Sequence, residues 1–318
     1  MFSSILVPLD GSPLAEAILP HVSIIAHVGS SEVILLRVLD QSTQNLATET
    51  VDPLDWQIRK AEASAYLEQL AAQLVETGLQ ARAEILEGNA AESIVEYAQL
   101  NDIALIMLSS HGQSGLTGWN VSSVVQKVIL RARTSIMIVR AYKPMVSETS
   151  ELRYQRILVP LDGSHRAESV LPRATAVARS QNAQVIIAHV VKQPEMPRRT
   201  PLTNEDLELA ERVTDRNRAE AEKYLAELKA RLDVNNETRL LVSPSVILTL
   251  HDFIEREEID LVFLSAHGYT GETRWPYGST VVSFIAYGNT PLLIYQDLQK
   301  DRILPTPAEI AAKEYGGR

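Results

Sequence analysis

A chain of 318 residues is too long for one ordinary hydrophobic core and implies about two domains. Hydrophobic residues make up 45% and charged residues 22%, a globular balance with apolar material for two cores. The formal charge of −10, with no basic cluster apart from Arg198-Arg199, argues against nucleic acid and against an anionic membrane as partners.

The first strand is Ser4–Pro8, and Asp10-Gly11-Ser12 is turn chemistry. Ser12 reads as an N-cap with Pro13 at the first helical position. Ala15, Ile18, Leu19, Val22 and Ile25 carry a helical period to about Val28, and Pro20 should bend or split that helix. Glu32–Val38 is a second strand whose continuous apolar run marks burial on both faces. After a polar loop comes a long helix, Leu54–Thr77, with Gly78 where a C-cap glycine belongs. Ala81–Glu87 is a third strand, Gly88-Asn89 a turn, and Ala90–Leu100 a helix. Ile103–Leu108 is a fourth strand, Ser109–Asn120 a Ser/Gly-rich loop, Ser122–Arg131 a helix and Ser135–Val139 a fifth strand. Alternating strands and helices imply a parallel sheet with helices on both faces.

The octapeptide ILVPLDGS occurs twice, at Ile5–Ser12 and Ile157–Ser164, 152 residues apart. An identical stretch at half the chain length means an internal duplication. The second half repeats the order, with strands Arg156–Pro160, Gln184–Val190, Glu237–Val242, Leu261–Leu264 and Leu292–Tyr295. Its helices are about His165–Arg179, Glu205–Leu232, Ser245–Glu257 and Ser279–Tyr287. Early landmarks keep the offset of 152 and later ones sit at 156, so four extra residues fall near the second long helix. The expected fold is α/β: two tandem domains, each a Rossmann-like five-stranded parallel sheet. The expected domains are 1–143 and 153–297, joined by a linker at 144–152 and followed by a tail at 298–318.

No apolar run reaches the ~18 residues of a membrane span. No signal peptide is visible, and cysteine is absent, so thiol chemistry is excluded and a cytoplasmic setting is expected. No spacing of His, Asp or Glu suggests a metal centre.

Ligands of open parallel sheets bind at the carboxyl ends of strands. Asp10, Val38, Gly88 and the 109–123 loop lie at such ends, as do Asp162, Val190, Ser243 and the 265–279 loop. The two loops read SSHGQSGLTGWNVSS and SAHGYTGETRWPYGS. Small residues let backbone approach a ligand, and the following helix offers N–H groups to an anion. His111 and His267 precede the loop glycines, and hydrogen bonding to backbone is the role expected of them. Trp119 and Trp275 are expected to pack the loops onto the sheet, and Arg274 is within reach of a phosphate.

V-P-x-D-G-S after the first strand, and S-x-H-G followed nine residues later by [GS]-S, resemble the universal stress protein family. The resemblance covers both halves and implies a tandem member with an ATP-binding α/β fold. The family's phosphate motif is G-x-x-G, nine residues, then G-S or G-T. Here it falls on Ser109, Gly112, Ser122 and Ser123, and on Ser265, Gly268, Gly278 and Ser279. Asp10 and Asp162 match the family's Asp, Val38 and Val190 its Val, and Gly88 its Gly after the third strand, which the second half lacks. A serine where φ must be positive would distort the cradle, so the second half is expected to hold the better phosphate loop. The resemblance further implies bound ATP with Mg²⁺, pairing of the two domains through their final strands, and a homodimer. It implies a regulatory module rather than an enzyme. The alternatives are a relative that has lost nucleotide binding and, more remotely, an adenylyl-transfer enzyme.

Overall fold

The computed structural model describes residues 1–40, 53–112, 121–141, 152–196, 201–269 and 276–298. Residues 144–151 of the linker, residues 299–318 of the tail, Trp119, Arg274 and Trp275 lie outside the described residues.

The first half runs β1 (Ser4–Pro8), α1 (Pro13–Glu16), α2 (Leu19–Gly29), β2 (Glu32–Leu39), α3 (Pro53–Glu76) and β3 (Gln80–Glu87). It continues through α4 (Ala90–Leu100), β4 (Leu105–Ser109), α5 (Ser123–Arg131) and β5 (Ser135–Val139). The second half repeats this as β6 (Arg156–Pro160), α6 (His165–Glu168), α7 (Leu171–Gln181), β7 (Gln184–Lys192), α8 (Asn204–Arg231) and β8 (Asn236–Ser243). It closes with α9 (Val246–Arg256), β9 (Leu261–Ser265), α10 (Ser279–Tyr287) and β10 (Leu292–Tyr295).

All ten strands form one sheet in the order β3-β2-β1-β4-β5-β10-β9-β6-β7-β8. Strands within each half are parallel. The halves meet where β10 runs antiparallel to β5, with Leu293 opposite Met137. Alternate strand residues serve opposite faces, as strand geometry requires. Ile5 and Val7 pack with α2 and α3, while Leu6 packs with α4 and α5. Each of these three side chains is fully buried, and cutting such a residue to Ala costs about 2–5 kcal/mol.

Pro20 splits its helix, but the break falls earlier than the proline. Proline has no N–H to give, so it sits in the first turn of α2, where that N–H would lack a helical partner anyway. Pro172 holds the same place in α7. The four extra residues are in the long helix: α8 has 28 residues and α3 has 24.

The seam between the halves is fastened beyond the strand ladder. Arg140 Nη2 donates to the carbonyls of Phe284 and Ile285 at 2.9 and 2.8 Å. Tyr154, 1% exposed, pairs through its hydroxyl with the buried Nδ1 of His21. Burial lowers the His21 pKa to about 4. No helix among the described residues is long and apolar enough to cross a membrane.

Candidate functional site

Strand order reverses between β1 and β4, and again between β6 and β9. Crossovers leave these strand ends in opposite directions, which opens a crevice. In the second half the crevice is a cavity of about 590 Å³. Asp162, Val190, Ser265, Gly268, Gly278 and Ser279 all line it, so the six expected second-half residues converge.

Asp162 anchors the turn after β9. Its Oδ1 accepts the Ser164 N–H at 3.0 Å and the Ser164 hydroxyl at 2.6 Å, and its Oδ2 accepts the Tyr269 N–H at 2.6 Å. Burial pushes this carboxyl up, but those hydrogen bonds outweigh it and hold the group below its usual value. A side chain on Gly268 would overlap the Asp162 carboxylate, and one on Gly112 would overlap that of Asp10. An alanine at either glycine would therefore require the facing aspartate to move.

The two turns leave their strands alike. Ser110 N–H donates to Val139 O and Ser122 N–H to Ser110 O; Ala266 and Gly278 do the same with Tyr295 and Ala266. Ser122 has φ −68° and Gly278 φ −71°, so neither position needs a positive φ and the serine distorts nothing. The difference is chemical. Ser122 Oγ accepts the Val125 N–H and caps α5, whereas Gly278 leaves α10 with no side-chain cap. The first N–H groups of α10 lack helical partners and carry the positive end of its dipole. Ser279, Thr280 and Val281 line the cavity.

The serines ending β4 and β9 also differ. Ser109 Oγ donates to Leu14 O at 2.6 Å. Ser265, 8% exposed, lines the cavity with a buried hydroxyl that has no partner among the described residues. Buried polar groups are nearly always satisfied, so this hydroxyl is an exception in the fold.

Arg37 and His189 hold equivalent places 152 residues apart. Arg37 lies over the Tyr66 ring at 5.7 Å and crowds Gly11, where an added Cβ would sit 2.6 Å from Nη1. His189 instead turns its Nδ1 to Leu161 O at 2.9 Å and lines the cavity. Burial lowers its pKa, so it is neutral at pH 7. Tyr66 donates to Glu16 at 2.8 Å. In the second half, burial and the charge of Glu168 hold the Tyr224 phenol protonated at the cavity wall.

In the first half Asp10 Oδ1 accepts the Ser12 N–H at 3.0 Å, and Ser123 opens α5. Val38 is the last residue but one of β2, which runs one residue past the expected end, and packs beside the core; Gly88, at φ +135°, turns the chain out of the edge strand β3 while donating to Leu39 O. Each histidine has a side-chain contact. His111 Nδ1 lies 3.0 Å from the Ser110 hydroxyl. His267 Nδ1 donates to Asp297 Oδ1 at 2.9 Å, and Asp297 Oδ2 accepts Arg166 Nε at 2.7 Å. Burial raises the Asp297 carboxyl, and its two cationic or N–H partners more than offset this. Sequence reading missed Asp297, Arg166, Tyr224 and Arg37. A signal existed for the tyrosines: A-x-x-Y-L-x-x-L occurs at Ala63–Leu70 and again at Ala221–Leu228.

Known proteins match this arrangement. The model described as the universal stress protein family matches residues 1–140 and again 153–296. Universal stress protein MJ0531 of Methanocaldococcus jannaschii is 29% identical over 144 residues, 45% of this chain and 85% of that protein. Universal stress protein YxiE of Bacillus subtilis is 27% identical over 149 residues, 44% of this chain and all of that protein. A putative universal stress protein structure from Pseudomonas aeruginosa superposes with a TM-score of 0.67 at 16% identity, covering 95% of each chain. One from Archaeoglobus fulgidus gives 0.63 at 18% identity, over 93% of this chain and 98% of that one. These two likenesses speak for the fold. With two family matches that span nearly all of its length, the chain belongs to the universal stress protein family.

Proposed function

We propose that this chain binds ATP in the second-half cleft and acts as a nucleotide-responsive regulatory module, not as an enzyme. The observation that carries the reading is the uncapped N-terminus of α10 beside the unpartnered Ser265 hydroxyl in one cavity. Gly268, Gly278, Ser279 and Ser265 receive the phosphates, with helix N–H groups supplying the positive potential. Asp162 and Val190 face the ribose and base. Among the described residues no three His, Asp or Glu gather as a metal centre. Mg²⁺ therefore arrives held by the phosphates and water, with the Ser279 and Thr280 hydroxyls as available oxygen donors. In the first half, Asp10, Val38, Gly88, Ser109, Gly112, Ser122 and Ser123 form the weaker site, because its serines are already engaged.

The domain division at 143 and 153, the pairing of the domains as a pseudo-dimer, a homodimer of chains and a cytoplasmic setting belong to the same proposal. Light scattering on the purified chain tests the homodimer, and a monomer would remove it. Calorimetric titration with ATP tests the main reading, with about one site per chain expected. Absence of heat at about millimolar ATP removes nucleotide binding at any useful affinity. Steady ATP turnover above background overturns the non-enzymatic role.

A further inference from the structure

Two aspartates hold three consecutive residues of the turn after β9. Asp162 accepts the Tyr269 N–H, and Gly268 lies against the same carboxylate. Asp297 accepts His267 Nδ1 at 2.9 Å, with the His267 and Asp297 side chains 1% and 3% exposed. His267 and Gly268 both line the second-half cavity.

Asp297 follows β10 by two residues, and Arg166 of α6 reaches its other oxygen at 2.7 Å. One carboxylate therefore joins the turn after β9, the end of β10 and the helix that follows the Asp162 turn. Its own backbone is anchored too, because the Gln296 N–H beside it donates to Ser135 Oγ across the seam at 3.1 Å. Burial alone would raise this carboxyl, but His267 and Arg166 hold it below its usual value, so it is ionised at pH 7. Hydrogen bonds to an ionised group are the strong ones, and they fix geometry as well as energy.

The internal duplication supplies a control. The equivalents of Arg166 and Asp297, 152 and 156 residues earlier, are Leu14 and Ala141. Neither side chain can hydrogen-bond. His111 Nδ1 lies instead beside the Ser110 hydroxyl, and the Ala141 N–H donates to that same oxygen at 3.1 Å. The equivalent of Ser110 is Ala266, which has no hydroxyl to offer. The first half serves its histidine from the next residue, whereas the second half reaches it from the far side of the strand end.

We propose that Asp297 is a positioning residue for the nucleotide cleft. Through His267 it sets the backbone of Gly268 for phosphate, and Arg166 is its counterion. The role rests on the reading that ATP phosphates lie at this turn. Without the Asp297 charge, the Asp162 contact holds the turn alone. Val190 and Asp162, on the base and ribose side, keep their places.

The test uses the full chain carrying Asp297→Asn, titrated by calorimetry with ATP and with adenosine. ATP affinity should fall about tenfold, and adenosine affinity should stay within about twofold. Asp297→Glu, which keeps the charge, should recover part of the ATP affinity. Amide hydrogen exchange of the ligand-free chain should speed up at His267, Gly268 and Tyr269, and not at His111 and Gly112. If Asp297→Asn fails to fold, Arg166→Leu combined with Asp297→Ala copies the first half and carries the same expectations. An equal loss for adenosine, or faster exchange spread over the whole chain, overturns the role. Unsubstituted protein that binds no ATP removes the nucleotide reading and this role with it. ATP binding that Asp297→Asn leaves unchanged removes this role alone.

Discussion

The turns after β4 and β9 start from the same strand position, make the same backbone bonds and open a helix at the same place. They differ in whether the protein uses its own hydroxyls. In the first half Ser109 donates to Leu14 O and Ser122 caps α5. In the second, Ser265 is left unpartnered and α10 is uncapped. A self-satisfied turn is stable alone; an unsatisfied one keeps its donors available for a ligand. The seam follows the same logic, with His21 and Tyr154 satisfied and Arg173 not.

The largest effect is expected from pH at the satisfied side of the seam. Burial lowers His21 to about 4, from 6.5 in an exposed site. The fold prefers neutral imidazole, so its stability is full above about pH 6.5 and falls as pH drops toward 4. The loss amounts to about 3 kcal/mol. Chemical denaturation across this window should show that slope, and His21→Gln should flatten it. Asp162 acts lower: its stabilisation is present above the ordinary carboxylate value of about 3.9 and lost as pH falls through its depressed value.

Next is Gly278→Asp. A carboxylate at this N-cap helps α10 but repels phosphate, so ATP affinity should fall about 100-fold. Ser122→Gly should change it less than about twofold. Equal losses from the two substitutions in calorimetry would contradict the assignment of the site to the second half.

Gly268→Ala and Gly112→Ala each force a Cβ into an aspartate, and each should cost about 1–3 kcal/mol in urea unfolding. Similar costs show that these glycines serve the fold in both halves. A cost confined to one half would mean that the second aspartate moves aside freely.

The smallest effect discriminates most finely. Ser109→Ala breaks a buried hydrogen bond and should cost about 1 kcal/mol. Ser265→Ala removes an unsatisfied hydroxyl and should cost nothing without ligand, while weakening ATP binding. A cost at Ser265 equal to that at Ser109 would reveal a protein partner for its hydroxyl.

Strands were legible because Ile5-Leu6-Val7 and its kin are continuous apolar runs, and a sheet covered on both faces requires such runs. The helix split was legible as a consequence of Pro20, though its place was not, because proline is tolerated in the first turn and the break therefore precedes it. That the six second-half residues would gather around one cavity was legible because motif spacing fixes where strands end. What sequence could not give was occupancy. Whether the Ser122 hydroxyl turns to Val125, or Arg37 lies over Tyr66, depends on side-chain torsions set by neighbours distant in the chain. The contact of His267 with Asp297 spans 30 residues, and no short motif encodes it.

The antiparallel meeting of β5 and β10 has a genetic consequence. When two identical chains assemble, every substitution is made twice, once in each copy. A change that empties a helix cap then empties both, and a charge placed at the interface faces its own image. Joining the two copies in one polypeptide lifts that constraint. Glycine can stand at 278 while serine stands at 122, and arginine at 173 while histidine stands at 21. Covalent union thus lets one copy satisfy its own hydroxyls while the other leaves Ser265 unpartnered and α10 uncapped.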